Sequence, residues 1–131
     1  MFSPPVLPLL VGTTVEFLNS DPFEHNAFGV GADEFDLGNW TKGAVRKHTF
    51  NKPGEVTLLC NVHPEMRAWV VVLKTPYFAV ADEAGTFRIP NVPAGVWKLK
   101  VWNERLKPIQ LEKSWDLKVT AGQEAKIEVT F

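Results

Sequence analysis

The sequence predicts an all-β protein of two sandwich-like units, and three observations predict it. Apolar and polar residues alternate along most of the chain, turn signals recur at short intervals, and helical periodicity is almost absent. Val, Thr, Phe and Trp recur, and 10 Pro and 9 Gly supply the turns.

The elements follow in order. Val15, Phe17 and Asn19 share one face of a strand, with Glu16 and Leu18 on the other. Asn19-Ser-Asp-Pro22 ends it. A turn-rich stretch with Gly29, Gly31 and Gly38 comes next, with a short helical turn around Ala32–Phe35. Lys42-Gly43 turns into a strand over Ala44–Phe50, and Lys52-Pro-Gly54 is a further turn. Val56, Leu58 and Cys60 then point one way, so the cysteine leaves its strand facing inward. Arg67–Lys74 is apolar on both faces and needs cover on both sides.

A boundary falls near Thr75-Pro76, giving units 1–75 and 76–131. In the second unit Asp82-Glu-Ala-Gly85 reads as a hairpin turn before Phe87-Arg-Ile89, and Asn91-Val-Pro-Ala-Gly95 as another turn. Trp97, Leu99 and Val101 alternate with lysines. Trp115, Leu117 and Val119 repeat the pattern, as do Ala125, Ile127, Val129 and Phe131. These are antiparallel strands with one buried face.

Composition excludes several classes. A net charge of −1 with no Lys/Arg run argues against nucleic acid. The longest apolar stretches, such as Trp69–Leu73, are far too short to span a bilayer. The single cysteine forbids an internal disulfide. No signal peptide is visible at Met1-Phe-Ser-Pro-Pro5.

The informative string is Cys60-Asn-Val-His63-Pro-Glu-Met66, which sets a thiolate, an imidazole and a thioether at steps of three. Thiolate and thioether favour reduced copper and imidazole serves both oxidation states. A His₂Cys plane with a weak axial Met is the electron-transfer arrangement. The second imidazole must come from elsewhere, and His25, just after a strand, is the natural choice. A histidine there and the ligand string would meet at one pole of a sandwich, where loops cluster. His48, in Arg46-Lys-His-Thr-Phe50, is the competitor and reads as a solvent-facing strand histidine. Asp21, Glu24 and Glu65 read as rim charges that would steer a basic partner.

Phe17-Leu-Asn-Ser-Asp21, His25-Asn26 and Gly54-Glu-Val-Thr-Leu-Leu-Cys60-Asn-Val-His63-Pro-Glu-Met66 together resemble the cupredoxins, the blue copper proteins. The spacing Cys-x-x-His-x-x-Met is similar to the short ligand loop of amicyanin. The resemblance covers roughly Phe2 to Lys74. It implies a Greek-key cupredoxin sandwich and one copper per chain, cycling between Cu(I) and Cu(II) on His25, Cys60, His63 and Met66. It also implies that Asn26 braces the ligand loop, with its backbone N–H bonded to the Cys60 sulfur. Two departures stand out: the family's usual first strand is missing, and Leu58 replaces the common aromatic two residues before the cysteine. The missing strand leaves its edge open, cut away, or replaced from the second half.

The second unit resembles the small transthyretin-like carboxypeptidase-regulatory β-sandwich. The residues that carry this are Asp82-x-x-Gly85-x-Phe87-x-Ile89-x-x-Val92-Pro93-x-Gly95 and Leu99-Lys-Val-Trp102. It implies a fold and no activity. The expected architecture is therefore a cupredoxin sandwich with a C-terminal small antiparallel β-sandwich extension.

The function expected is that of a type 1 copper electron carrier, periplasmic or secreted, and not an enzyme. Only His48 remains once the centre is filled, too few imidazoles for a second catalytic copper. A dinuclear copper centre needs two bridging cysteines, and a methionine suits zinc catalysis poorly. A redox protein such as a cytochrome or dehydrogenase would be the partner, docking on an apolar rim of Pro22, Phe23 and Pro64. A copper-capture protein without a redox partner, or an adhesion module with a vestigial site, are the other readings. If residues 76–131 cover the outer face of Arg67–Lys74, their deletion makes the first unit insoluble; a soluble, coloured 1–75 fragment overturns that expectation.

Overall fold

Strands form where side chains of one face find a core and backbone groups find a ladder. The structure is a computed structural model that describes residues 5–21, 23–61 and 67–131. It divides the chain into two units, Met1–Val80 and Ala81–Phe131.

The first unit is a cupredoxin-type sandwich. One sheet contains β1 (Val6–Leu10), β7 (Arg67–Leu73), β6 (Gly54–Leu59), β3 (His25–Gly31) and β4 (Phe35–Trp40), in that spatial order. The other pairs β2 (Thr13–Leu18) with β5 (Val45–Phe50), and among the described residues β2 pairs with no other strand. β1 runs parallel to β7, and the remaining pairs are antiparallel. The chain changes sheet between β1 and β2. Val11 N–H donates to Leu73 O (2.8 Å) in the first sheet, and Gly12 N–H donates to Phe50 O (2.7 Å) in the second. The corner needs φ of 91° at Gly12, a value glycine adopts without a Cβ penalty.

Leu9, Phe50, Val56, Leu58, Ala68, Val70 and Val72 form the core, with Leu7, Val15, Phe17 and Phe35 packed against it. The expected inward set Val56, Leu58 and Cys60 is buried throughout. On the outer face of the β2–β5 pair, Thr14 and Thr49 share a hydrogen bond (2.7 Å) and Glu16 meets Lys47 (3.4 Å). Leu18 lies across from Val45, and both are exposed.

Residues 25–40 differ from their expected turn-rich character, and no helical turn forms at Ala32–Phe35. They make β3 and β4. Pairing with β6 overrides the low strand propensity of glycine. The missing side chain of Gly29 makes room for Phe35, whose ring would lie 2.4 Å from a Cβ there. His48 also differs from the expected solvent-facing histidine. It stacks on Phe35 (centroids 3.7 Å, planes 17° apart) and meets Phe50 edge-on (4.8 Å). Its Nε2 lies 2.8 Å from Asp33 Oδ2, a buried carboxylate that Lys52 approaches at 3.9 Å. Strand alternation puts His48 on the face of Phe50, and Asp33 supplies the partner its ring then needs.

The second unit is a small antiparallel sheet of β8 (Gly95–Lys100) and β9 (Ser114–Val119), with a short helix α1 (Pro108–Glu112) between them. Trp97 pairs with Leu117 and Leu99 with Trp115 on the half-buried face. Lys98 and Asp116 form an ion pair (2.8 Å) on the exposed one. The turn at Asp82 is closed by Gly85 N–H to Asp82 O (2.9 Å) and Thr86 N–H to Asp82 Oδ1 (2.8 Å). Phe87 and Ile89 keep their alternating burial, as do Ile127 and Val129, whereas Ala125 and Phe131 are exposed, and among the described residues neither run forms a ladder. Alternation encodes which side turns inward, not which strand lies alongside. The helix escaped the sequence reading because it is five residues long. Its signals are Pro108 at the first turn and Gln110, whose Oε1 accepts Lys107 N–H (2.9 Å).

Replacing His48 with Ala leaves Asp33 buried without its ring partner and is expected to cost about 1–3 kcal/mol. Urea denaturation checks this; a loss below about 0.5 kcal/mol would show the pair to be incidental.

Candidate metal centre

β3 begins at His25 and β6 ends one residue before Cys60. Their antiparallel register, Phe28 with Leu59 and Gly31 with Val56, puts His25-Asn26 and Cys60-Asn61 at the same end of neighbouring strands. All three polar side chains there are buried: His25 is 8% exposed, Asn26 5% and Cys60 3%. Cys60 is a free thiol.

The Asn26 side chain joins the two strand ends. Its Oδ1 accepts the Asn61 backbone N–H (3.0 Å) and the Cys60 S–H (3.2 Å). The described bond to the sulfur therefore runs through the side-chain oxygen of Asn26. One buried amide thus fixes both the thiol and the first residue of the segment leading to His63 and Met66.

His25 is held from the other side. Its Nε2 lies 2.8 Å from Asp21 Oδ2, four residues earlier. Asp21, expected as a rim charge, instead spends its carboxylate on the ring, although its side chain is half exposed. Asn19, for which the sequence suggested no role beyond its strand face, is buried and organises this turn. Its Nδ2 donates to Phe23 O (2.8 Å) and Trp40 O (3.0 Å), while its Oδ1 accepts Asp21 N–H (2.9 Å). Its backbone O accepts Gly43 N–H (3.0 Å). Trp40 is the cross-strand neighbour of His25. The legible signals were the i, i+4 spacing of Asp21 and His25 and an asparagine ending an apolar face.

Of the remaining sequence-predicted residues, Phe23 is exposed at this end. Pro22, His63, Pro64 and Met66 lie outside the described residues. Among the described residues no three His, Cys, Asp or Glu side chains gather as a metal-binding group, and no helix is long and apolar enough to cross a membrane. The donors that are described fit copper in their chemistry. A buried sulfur and a buried imidazole share one end of the sheet, each oriented by a hydrogen bond to an amide or carboxylate oxygen.

Solved structures place this unit among known proteins. A Cu-containing nitrite reductase from Thermus scotoductus SA-01 is 34% identical with a TM-score of 0.53, over 56% of this chain and 20% of that chain. A purple cupredoxin from Nitrosopumilus maritimus is 29% identical with a TM-score of 0.50, over 54% of this chain and 80% of its own. A reduced Cu(I) form of an amicyanin variant is 30% identical with a TM-score of 0.51, over 55% of this chain and 72% of its own. This chain thus spans only a fifth of the nitrite reductase's length. No family model matches the chain, and no curated protein is similar to it. Through its first unit the chain belongs to the cupredoxins and is related to the blue copper proteins.

Asn26→Ala removes the acceptor of both Cys60 and Asn61. The Asn61 amide is expected to lose about tenfold or more of its hydrogen-exchange protection, about 1.4 kcal/mol. Exchange followed by NMR tests this, and unchanged protection would rule out the brace.

Proposed function

We propose that the chain is a type 1 copper protein that carries single electrons between redox partners, in the periplasm or outside the cell, and is not an enzyme. The ligands are His25, Cys60, His63 and Met66, and Asn26 braces the ligand loop through Cys60 and Asn61. A copper ion bound there would supply a Cu(I)/Cu(II) couple.

The observation that carries the reading is the convergence of His25 and Cys60, both buried, at one end of paired strands. Asn26 ties Cys60 to the start of the segment bearing the other two ligands. Membership in the cupredoxins supports it, as does likeness to proteins described as holding copper. Residues held by a sheet on one side and by buried amide bonds on the other keep their positions whatever the charge state, which favours fast transfer. Phe23, with Pro22 and Pro64, forms the apolar docking rim. Leu18 and Val45 extend exposed apolar surface at the same end. A redox protein such as a cytochrome or dehydrogenase docks there in a small, short-lived complex. Residues 1–75 form the carrier, and residues 76–131 a carboxypeptidase-regulatory-like module.

Loaded with Cu(II), the protein is expected to absorb strongly near the red end of the visible spectrum, with a type 1 electron paramagnetic resonance signal. Cys60→Ser should abolish both, and Met66→Gln should shift the signal without removing it. A colourless wild type under oxidising conditions refutes the proposal. Very tight Cu(I) binding with slow self-exchange refutes the carrier role and marks a capture protein.

A further inference from the structure

We propose that the open edge of β2 is a self-association surface: two copies of this chain pair their Thr13–Leu18 strands antiparallel across a two-fold axis and make one four-stranded sheet. The inference does not depend on copper.

An edge strand presents a row of N–H and C=O groups that another strand can pair with. Proteins blunt such edges with proline, inward-pointing charge or a bulge. β2 has none of these. It contains no proline, and it pairs with β5 along its whole length without a register shift. Its one charged residue, Glu16, is exposed on the outer face. Among the described residues no strand covers its other edge. The core is unsealed along this strand, because Val15 and Phe17 pack against it yet stay half-buried.

The strand's own sequence selects a second copy and a register. With both core faces on one side, like-facing residues must lie opposite each other. A two-fold axis at Val15 puts Thr14 opposite Glu16 of the second copy, twice by symmetry. An axis at Glu16 sets two carboxylates opposite each other, which is destabilising. Any other axis leaves half or more of each strand unpaired. In the Val15 register a polar row runs across the solvent face. Thr49 already bonds Thr14 (2.7 Å), and Lys47 meets Glu16 (3.4 Å). With Thr49 as donor, the Thr14 hydroxyl is left to donate to Glu16 of the second copy. The row is then Thr49 and Thr14 of one copy followed by Glu16 and Lys47 of the other, and its reverse. On the core side Val15 meets its own counterpart, which closes the two half-buried margins on each other. β2 leads towards the buried Asn19 and the His25 end. The antiparallel pair therefore sets the two candidate centres at opposite ends, where each keeps its own docking rim.

Sedimentation velocity of the full chain over a concentration series tests the pairing. Wild type is expected to pass from monomer to dimer below about 1 mM, the range of a weak complex. Thr14→Glu sets a carboxylate opposite Glu16 at both symmetric positions and should weaken the dimer about tenfold. Thr14→Lys sets a cation there and should strengthen it about threefold or more. Thr14 is exposed, so one site carries both signs without touching the core. Oxidising a mixture of Thr14→Cys and Glu16→Cys chains reads the register. Opposite residues of an antiparallel pair lie within disulfide reach, and diagonal ones lie beyond it. The mixture should therefore cross-link and either variant alone should not, with the buried Cys60 no competitor. A chain that stays monomeric at about 1 mM overturns the proposal. So does a dimer indifferent to both Thr14 charges, or cross-linking as strong within one variant as in the mixture.

Discussion

Antiparallel pairing of His25–Gly31 with Gly54–Leu59 sets the start of one strand beside the end of the other, and the candidate centre depends on that register. A slip of one residue would turn Cys60 to the opposite face of its sheet. The register is secured from within by Val56 and Leu58, which must face the core, and at its end by Asn26, whose oxygen spans to Asn61 and Cys60. Packing and polar bonding thus agree on one alignment, and the polar bond sits where an error would matter most.

Buried polar groups cluster at both ends of the first unit, and each is tied by a bond between segments far apart in sequence or across a tight turn. Asn19, His25 and Asn26 lie at the end carrying Cys60, where the half-exposed Asp21 meets the His25 ring. Asp33 and His48 lie towards the other end of β3, under Phe35. An unpaired group in either place would cost a few kcal/mol of desolvation, so these residues restrict which arrangements of the turns are stable. Between them the core-facing side chains of the strands are apolar and need no such devices.

Legibility in the sequence followed the range of the interactions. Strands with clean alternation, such as Val15 to Phe17 and Trp97 to Val101, were readable because period-two patterning is local. The stretch from 25 to 40 was not. Its glycines argue for turns, and only the β6 ladder and the Phe35 ring above Gly29 make it a pair of strands. His48 misled for a related reason: its neighbours Lys47 and Thr49 are exposed, and the stacking partner lies on another sheet. Asp21 looked like a surface charge and is half exposed; its i, i+4 spacing to His25 was the one local sign of the contact that the turn held by Asn19 completes.

By itself the sequence determined the all-β class, the inward direction of Cys60, and a soft donor set spaced for copper, because these depend on residue type and on alternation along one strand. The tertiary structure alone decided the register that sets His25 beside Cys60, that an amide and a carboxylate orient them, and that the second unit pairs β8 with β9 while its flanking alternating runs stay outside the ladder. Those outcomes rest on strand register and on hydrogen bonds between distant segments, for which a linear pattern carries no coordinate.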